Sequence, residues 1–195
     1  MGSIVIDEQY EECRKRLKES ISNKRYLHSL GVSNTSACLA MRYGSDVKAA
    51  YLAGLLHDCA KGLKHHQLIE KVEKSGMEIS VIERDNPDLL HSKAGYVIAR
   101  EEYGIEDKEI LSAISYHTTG KPDMTMLEKI VFVADYIEPN RANLPELDEI
   151  RSLAFYDIDD TVARLCRITL DHLKDNGDPI DHATVETYEY YSKKG

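Results

Sequence analysis

Ala49-Ala50-Tyr51-Leu52-Ala53-Gly54-Leu55-Leu56-His57-Asp58 is the stretch on which the reading turns, because an apolar run of helical length ends on an imidazole and a carboxylate. Asp46 stands where an N-cap belongs, so the spacing predicts a helix running through His57, with Gly62 as its terminator just beyond. A carboxylate buried there is costly unless something positive meets it. Imidazole nitrogen and carboxylate oxygen together suit a borderline or hard divalent ion: iron, manganese, zinc or magnesium.

The same signal recurs on both sides. Downstream, Ile130-Val131-Phe132-Val133-Ala134-Asp135-Tyr136-Ile137 sets a lone carboxylate in an apolar helix. Upstream, a helix over 24–43 places His28, Val32, Thr35 and Leu39 on one face by i+3 and i+4 spacing, so His28 points with the apolar stripe. Each residue also has an ordinary explanation: a hydrogen-bonded core histidine for His28, a helix-terminal pair for His57 and Asp58, a salt bridge to a buried arginine for Asp135. One ion accounts for all four together. His91 and His117 add two further imidazoles, and each can ligate a second ion, donate a hydrogen bond to phosphate, or serve structure alone.

Composition bounds the rest. With 195 residues, 42% hydrophobic and 30% charged, the chain can bury a sizeable core, and one domain over 1–195 is expected. Its longest apolar stretches are too short to span a membrane, and its first ten residues lack the pattern of a signal peptide, which predicts a cytoplasmic protein without membrane attachment. Cys13, Cys38, Cys59 and Cys166 form no Cys-x-x-Cys pair and read as reduced packing residues. A formal net charge of −9 argues against a nucleic-acid surface, while a small anionic substrate can still be met by a metal and a few focused cations.

The remaining pattern is helical nearly throughout. Beyond a charged amphipathic helix over 8–22, helices are predicted near 65–74, 88–103, 107–116, 126–138, 147–155, 158–174 and 182–193. The run 78–83 is the nearest to a strand, too short and isolated to imply a sheet, so the fold class is all-α. Lys64-His65-His66 reads as a solvated helix start, and the Tyr188-Glu189-Tyr190-Tyr191 stripe as packing of the last helix or a dimer surface.

His28, the His57-Asp58 doublet and Asp135, in that order on helices, resemble the HD-domain metal-dependent phosphohydrolase superfamily. More narrowly, Arg25-Tyr26-Leu27-His28-Ser29-Leu30, His57-Asp58-Cys59-Ala60-Lys61, His117-Thr118-Thr119-Gly120 and Ala134-Asp135-Tyr136-Ile137-Glu138-Pro139-Asn140-Arg141 are similar to the YqeK family of bacterial symmetrical diadenosine tetraphosphate hydrolases. The resemblance covers nearly the whole chain. It implies a single compact multi-helix HD domain, its metal-ligand core over about 24–141 and its C-terminal helices over 147–193, that uses iron to split diadenosine tetraphosphate into two ADP. A homodimer is a further expectation.

Roles follow residue by residue. His28, His57, Asp58 and Asp135 are the expected metal ligands; His91 and His117 serve a second metal or phosphate. Asp58 both ligates and orients or deprotonates water, and Lys61, one turn beyond it, steadies the leaving charge. Arg25 lies on the His28 face, and Arg141 follows the Pro139 break after Asp135, so both can fork a phosphate. Thr118 opens a polar loop where hydroxyls and free amides can meet the nucleotide. Cys59, Ala60, Ile180, Asp181, His182 and Thr184 complete the expected substrate contacts, although Asp181 also reads as a helix cap. Two other readings stay open: a different HD-type nucleotide phosphohydrolase or phosphodiesterase, and a non-catalytic metal-containing nucleotide sensor. No Gly-Tyr-Pro element follows a His-Asp doublet, which weighs against the cyclic dinucleotide option.

Overall fold

Caps and breaks cut the chain into helices of ordinary length. The computed structural model describes residues 8–141 and 146–193, and among them there is no strand. In order come α1 (Glu8–Ser20), α2 (Asn23–Tyr43), α3 (Val47–Leu56), α4 (His65–Ser75), α5 (Val81–Asp85), a 3-10 turn (Pro87–Leu90), α6 (His91–Glu101), α7 (Lys108–Tyr116), α8 (Met126–Ile137), α9 (Leu147–Ala154), α10 (Ile158–Asn176) and α11 (His182–Tyr191). Ser22, Asp46, Asp107, Thr125, Asp157 and Asp181 each cap a helix with a side-chain oxygen, as polar residues just ahead of apolar periodicity should.

α2 and α3 form the central hairpin, with α8 laid across both. Their seam is built from small residues. A Cβ on Gly54 would stand 2.8 Å from Ser36 Oγ, 2.9 Å from Ser33 Cα and 3.0 Å from the Val32 carbonyl oxygen, so only glycine permits this approach. α8 is nearly encircled: Leu127, Ile130, Val131, Phe132, Val133, Ala134 and Ile137 are all buried. One hydrophobic cluster then extends from Tyr10 on α1 to Tyr191 on α11. Burial of this kind stabilises by about 25 cal/mol per Å² of apolar surface, which sets the histidines on a rigid frame.

Three expectations need correction, on the end of α3, on Gly62 and on the start of α6. The helix expected to run through His57 stops at Leu56, and tight i→i−3 turns follow (Cys59 N–H to Leu56 O, Lys61 N–H to Asp58 O, Leu63 N–H to Ala60 O, each 3.0 Å). Gly62 lies within the last of those turns, and its requirement is space: a Cβ there would collide with the Ser20 carbonyl. The helix expected over 88–103 is a 3-10 turn begun by Pro87, then α6. The run 78–83 contributes to α5, whose Ser80 and Glu83 make a reciprocal capping box. Cys13, Cys59 and Cys166 are buried and Cys38 is exposed. Of the tyrosine stripe, Tyr191 is buried and accepts from the Met124 amide, which is the packing role.

Candidate metal centre

Three of the four central imidazoles are aimed by the same local device. His57 caps the C-terminal end of α3, His91 opens α6 and His117 caps α7; each donates its Nδ1–H to the carbonyl three residues earlier, to Gly54 at 2.7 Å, Asp88 at 2.5 Å and Ile114 at 2.7 Å. The acceptor fixes the tautomer, so every Nε2 presents a lone pair. His28 differs. Its Nδ1 donates to the carboxylate of Glu138 at 3.1 Å, from a residue 110 positions away.

These nitrogens converge. His28 Nε2 lies 3.2 Å from His57 Nε2 and 3.0 Å from Asp135 Oδ1. His91 Nε2 lies 3.1 Å from His117 Nε2, and the Thr118 hydroxyl sits 3.1 Å from the first and 3.2 Å from the second. Asp58 stands between the two groups: Oδ2 is 3.6 Å from His57 Nε2 and 4.0 Å from His28 Nε2, while Oδ1 is 3.5 Å from His91 Nε2 and 3.6 Å from His117 Nε2. Among the described residues the ligand-type atoms gather into His28, His57 and Asp58; His57, His117 and Asp135; and Asp58, His91 and His117.

The donor chemistry fits a cation. Lone pairs of His91 and His117 face each other at contact distance, and that repulsion is relieved by a proton or a metal. A proton is the poorer answer, because burial pushes His91 down to about 3 and His57 down to about 4. Both are therefore neutral at pH 7 and free to offer a nitrogen lone pair. Burial works against charge on His28 too, yet the Asp135 and Glu138 carboxylates outweigh it and lift its pKa above the ordinary value. Asp58 and Asp135 are desolvated, which alone would raise them; the surrounding imidazoles, with Arg141 beside Asp135, hold both well below the usual carboxylate range. The site thus keeps two anions and three or four imidazole donors within reach of one another, a set suited to first-row divalent ions.

The cationic residues lie at the edge. Arg25 Nη1 donates to Asp58 Oδ2 at 2.8 Å, while Arg141 donates from Nη2 to Asp135 Oδ1 at 2.7 Å and from Nε to the Asp135 carbonyl at 2.8 Å. Both arginines are on the ligand carboxylates themselves, so the salt bridge weighed for Asp135 exists alongside its imidazole contacts. Lys61 is half-buried one turn past Asp58; burial pushes its ammonium pKa down, with Asp58 opposing.

Other expected contacts separate. Cys59 is a correction: its thiol is buried, points at the Gly95 carbonyl at 3.6 Å and has a raised pKa through burial, so it packs the core. Ala60 has no exposed surface and offers no side-chain contact either. Asp181 caps α11, exposed His182 lies 3.4 Å from Glu186, and Thr184 is buried. No hydrogen bond among the described residues joins Ile180, Asp181, His182 or Thr184 to the histidines. His65, exposed, pairs with Asp88 at 3.1 Å.

Sequence reasoning did not single out Glu138. It is buried, and its Oε2 accepts from the Asn140 amide at 2.7 Å and side chain at 3.1 Å while Oε1 meets His28. Gly31 makes room for it, since a Cβ there would collide with Oε2. The motif 134–141 contained the clue, an acidic residue three positions after Asp135. Glu138→Ala is expected to weaken metal binding roughly 10- to 100-fold, and Glu138→Gln, which keeps an acceptor, less. Calorimetric titration with manganese measures both; equal affinity in Glu138→Ala and wild type would reduce Glu138 to packing.

With this geometry in place, the comparisons are specific. A family model for the HD domain matches residues 25–140. A Bacillus subtilis protein named bis(5'-nucleosyl)-tetraphosphatase, symmetrical, is 38% identical over 180 residues, 92% of this chain and 96% of its own. A Staphylococcus aureus protein of the same name is 36% identical over 188 residues, 93% of this chain and 94% of its own. A crystal structure from Clostridium acetobutylicum, described as a predicted HD superfamily hydrolase involved in NAD metabolism, superposes with a TM-score of 0.92 at 38% identity, covering 95% of this chain and 98% of that one.

Proposed function

The chain belongs to the HD domain family, and on that premise we propose that it hydrolyses diadenosine tetraphosphate symmetrically, adding water across the central anhydride to release two ADP. The observation that carries the reading is the pair of donor groups joined through the two oxygens of Asp58. His28, His57, Asp58 and Asp135 would hold one divalent ion, and Asp58, His91 and His117 a second. When bound, such ions lower the pKa of water and polarise phosphoryl oxygens.

The protein's own groups do the rest. Asp58 orients the attacking water and receives its proton; the low proton affinity that its neighbours impose makes orientation the larger share. Lys61, half-buried and with no ion pair among the described residues, places a cation where leaving charge develops. Arg25 and Arg141 steady phosphate oxygens at the rim, and the Thr118 hydroxyl lies where His91 and His117 meet. Iron is our choice of resident ion, manganese, zinc and magnesium being compatible with the same donors.

We read the chain as one domain, a cytoplasmic homodimer acting on a free nucleotide and not on nucleic acid. The net charge of −9 supports the small-molecule substrate, and among the described residues no helix is long and apolar enough to cross a membrane. Metal-loaded protein incubated with diadenosine tetraphosphate is expected to yield ADP as the sole nucleotide product by chromatography. AMP with ATP would overturn symmetrical cleavage, and absence of turnover would favour a nucleotide sensor.

A further inference from the structure

The loop that follows His117 is fastened to the far end of the chain. Thr187 of α11 is buried, and its hydroxyl lies 3.1 Å from the Thr119 carbonyl oxygen and 2.7 Å from the Ala183 carbonyl oxygen of its own helix. Gly120, at φ +65°, lies so close that a Cβ would be 2.7 Å from Thr187 Cγ2. Further along, the Met124 amide donates to Tyr191 at 2.8 Å and Tyr190 donates to Asp123 at 2.9 Å. The tyrosines hold the exit of the loop; Thr187 holds its entrance, one residue from Thr118.

Thr118 has a demanding position. Its Oγ1 is nearly equidistant from His91 Nε2 and His117 Nε2, both of them acceptors because their Nδ1 atoms donate to backbone. A hydroxyl has one proton to give, so one nitrogen at most receives it when no ion engages them, and a small swing of the loop shifts the hydroxyl relative to both. Local restraint is limited: the Gly120 amide donates to the Tyr116 carbonyl at 2.9 Å, while Thr118 follows the end of α7 and Thr119 Oγ1 is turned to the Gly120 carbonyl at 3.1 Å. Apart from the His91 imidazole itself, the hydrogen bond among the described residues that reaches Thr118 and Thr119 from another element is that of Thr187.

We propose that Thr187 is a positioning residue for the reaction inferred above: with its hydroxyl proton shared between the Ala183 and Thr119 carbonyls and its methyl packed against Gly120, it keeps the Thr118 hydroxyl between His91 and His117. Its influence is exerted through Thr118, and it touches no reacting atom. Thr187→Val is close in shape and removes only the donor; Thr187→Ser keeps the donor and removes a methyl group. A displacement on the scale of an ångström at a reacting centre is enough to cost up to about 100-fold in rate, and the loosening of one of several tethers predicts roughly tenfold.

The test combines kinetics with metal spectroscopy on the full-length protein. Thr187→Val is expected to lower kcat for diadenosine tetraphosphate about tenfold while KM changes less than about threefold, with Thr187→Ser near wild type. In a Thr118→Val background, Thr187→Val should have no further effect, because the group it positions is gone. Unchanged kcat in Thr187→Val, or an additive loss in the Thr118→Val background, would overturn the proposal. Titration with Co2+ alone provides an arm without substrate: the visible absorption of the loaded Thr187→Val protein should differ from wild type, and that of Thr187→Ser should not. If wild-type protein makes no ADP, the hydrolase reading fails, and the cobalt spectra decide the positioning claim separately. Superimposable spectra would then sink it, and distinct ones sustain it.

Discussion

Asp58→Asn is expected to lower kcat for diadenosine tetraphosphate on the order of 10⁴-fold, the scale seen when a residue shared by a whole catalytic unit is removed. Asparagine keeps the size of the side chain and replaces one anionic oxygen with an amide nitrogen. Because Oδ2 faces His57 and His28 while Oδ1 faces His91 and His117, both donor groups lose charge at once. Arg25, now 2.8 Å from Oδ2, would lose its counter-ion as well. Elemental analysis of the variant should show reduced metal content alongside the kinetic loss. A protein that keeps a tenth of wild-type kcat and a full complement of metal would show that Asp58 is neither shared ligand nor orienting group.

Gly54→Ala is expected to be among the most damaging single methyl additions in the fold. Alanine in place of glycine within a helix gains up to about 1 kcal/mol of intrinsic propensity. Against this stands overpacking of a filled seam, about 1–3 kcal/mol and more where the obstruction cannot rotate away. Here two of the three obstructing atoms, Ser33 Cα and the Val32 carbonyl oxygen, belong to the backbone of α2, so overpacking wins. A net loss of about 3 kcal/mol corresponds to a melting temperature lower by roughly 6–12 °C for a domain of this size. The metal centre should suffer in parallel, since Gly54 supplies the carbonyl that aims His57 and α2 carries His28. A thermal melt within about 2 °C of wild type, with manganese affinity unaltered, would mean that the α2–α3 seam is looser than the structure shows.

Much of this architecture could be read from the chain. Among the described residues, hydrophobic spacing located ten of the eleven α-helices to within a few residues, because each is long or well capped and packs one side against a common core. α5 escaped because five residues carry too little periodicity; the Ser80 and Glu83 spacing was the available signal. The six central ligand candidates were legible from an energetic anomaly, buried imidazoles and carboxylates with no sequence-local reason to be there. What could not be read was distance. Glu138 meets His28 across 110 residues, and the pairing of Arg25 with Asp58 spans 33. The tight turns over 57–63 were invisible for a different reason: the apolar pattern continues smoothly into Cys59 and Ala60, which are indeed buried, so periodicity had no cause to register the change of helix geometry.

The way the imidazoles are aimed bears on how such a centre persists through descent. For His57, His91 and His117 the aiming group is a main-chain oxygen three positions upstream, which every residue type possesses. No ordinary substitution deletes it, so whatever else constrains the flanking positions, as the seam constrains Gly54, the imidazole and its aim are inherited together as a four-residue cassette. His28 depends on a carboxylate encoded far away, on the vacancy that Gly31 leaves, and on Asn140. Four codons must therefore travel as a set for one ligand, and lineages that lose function gradually should lose it at this corner first.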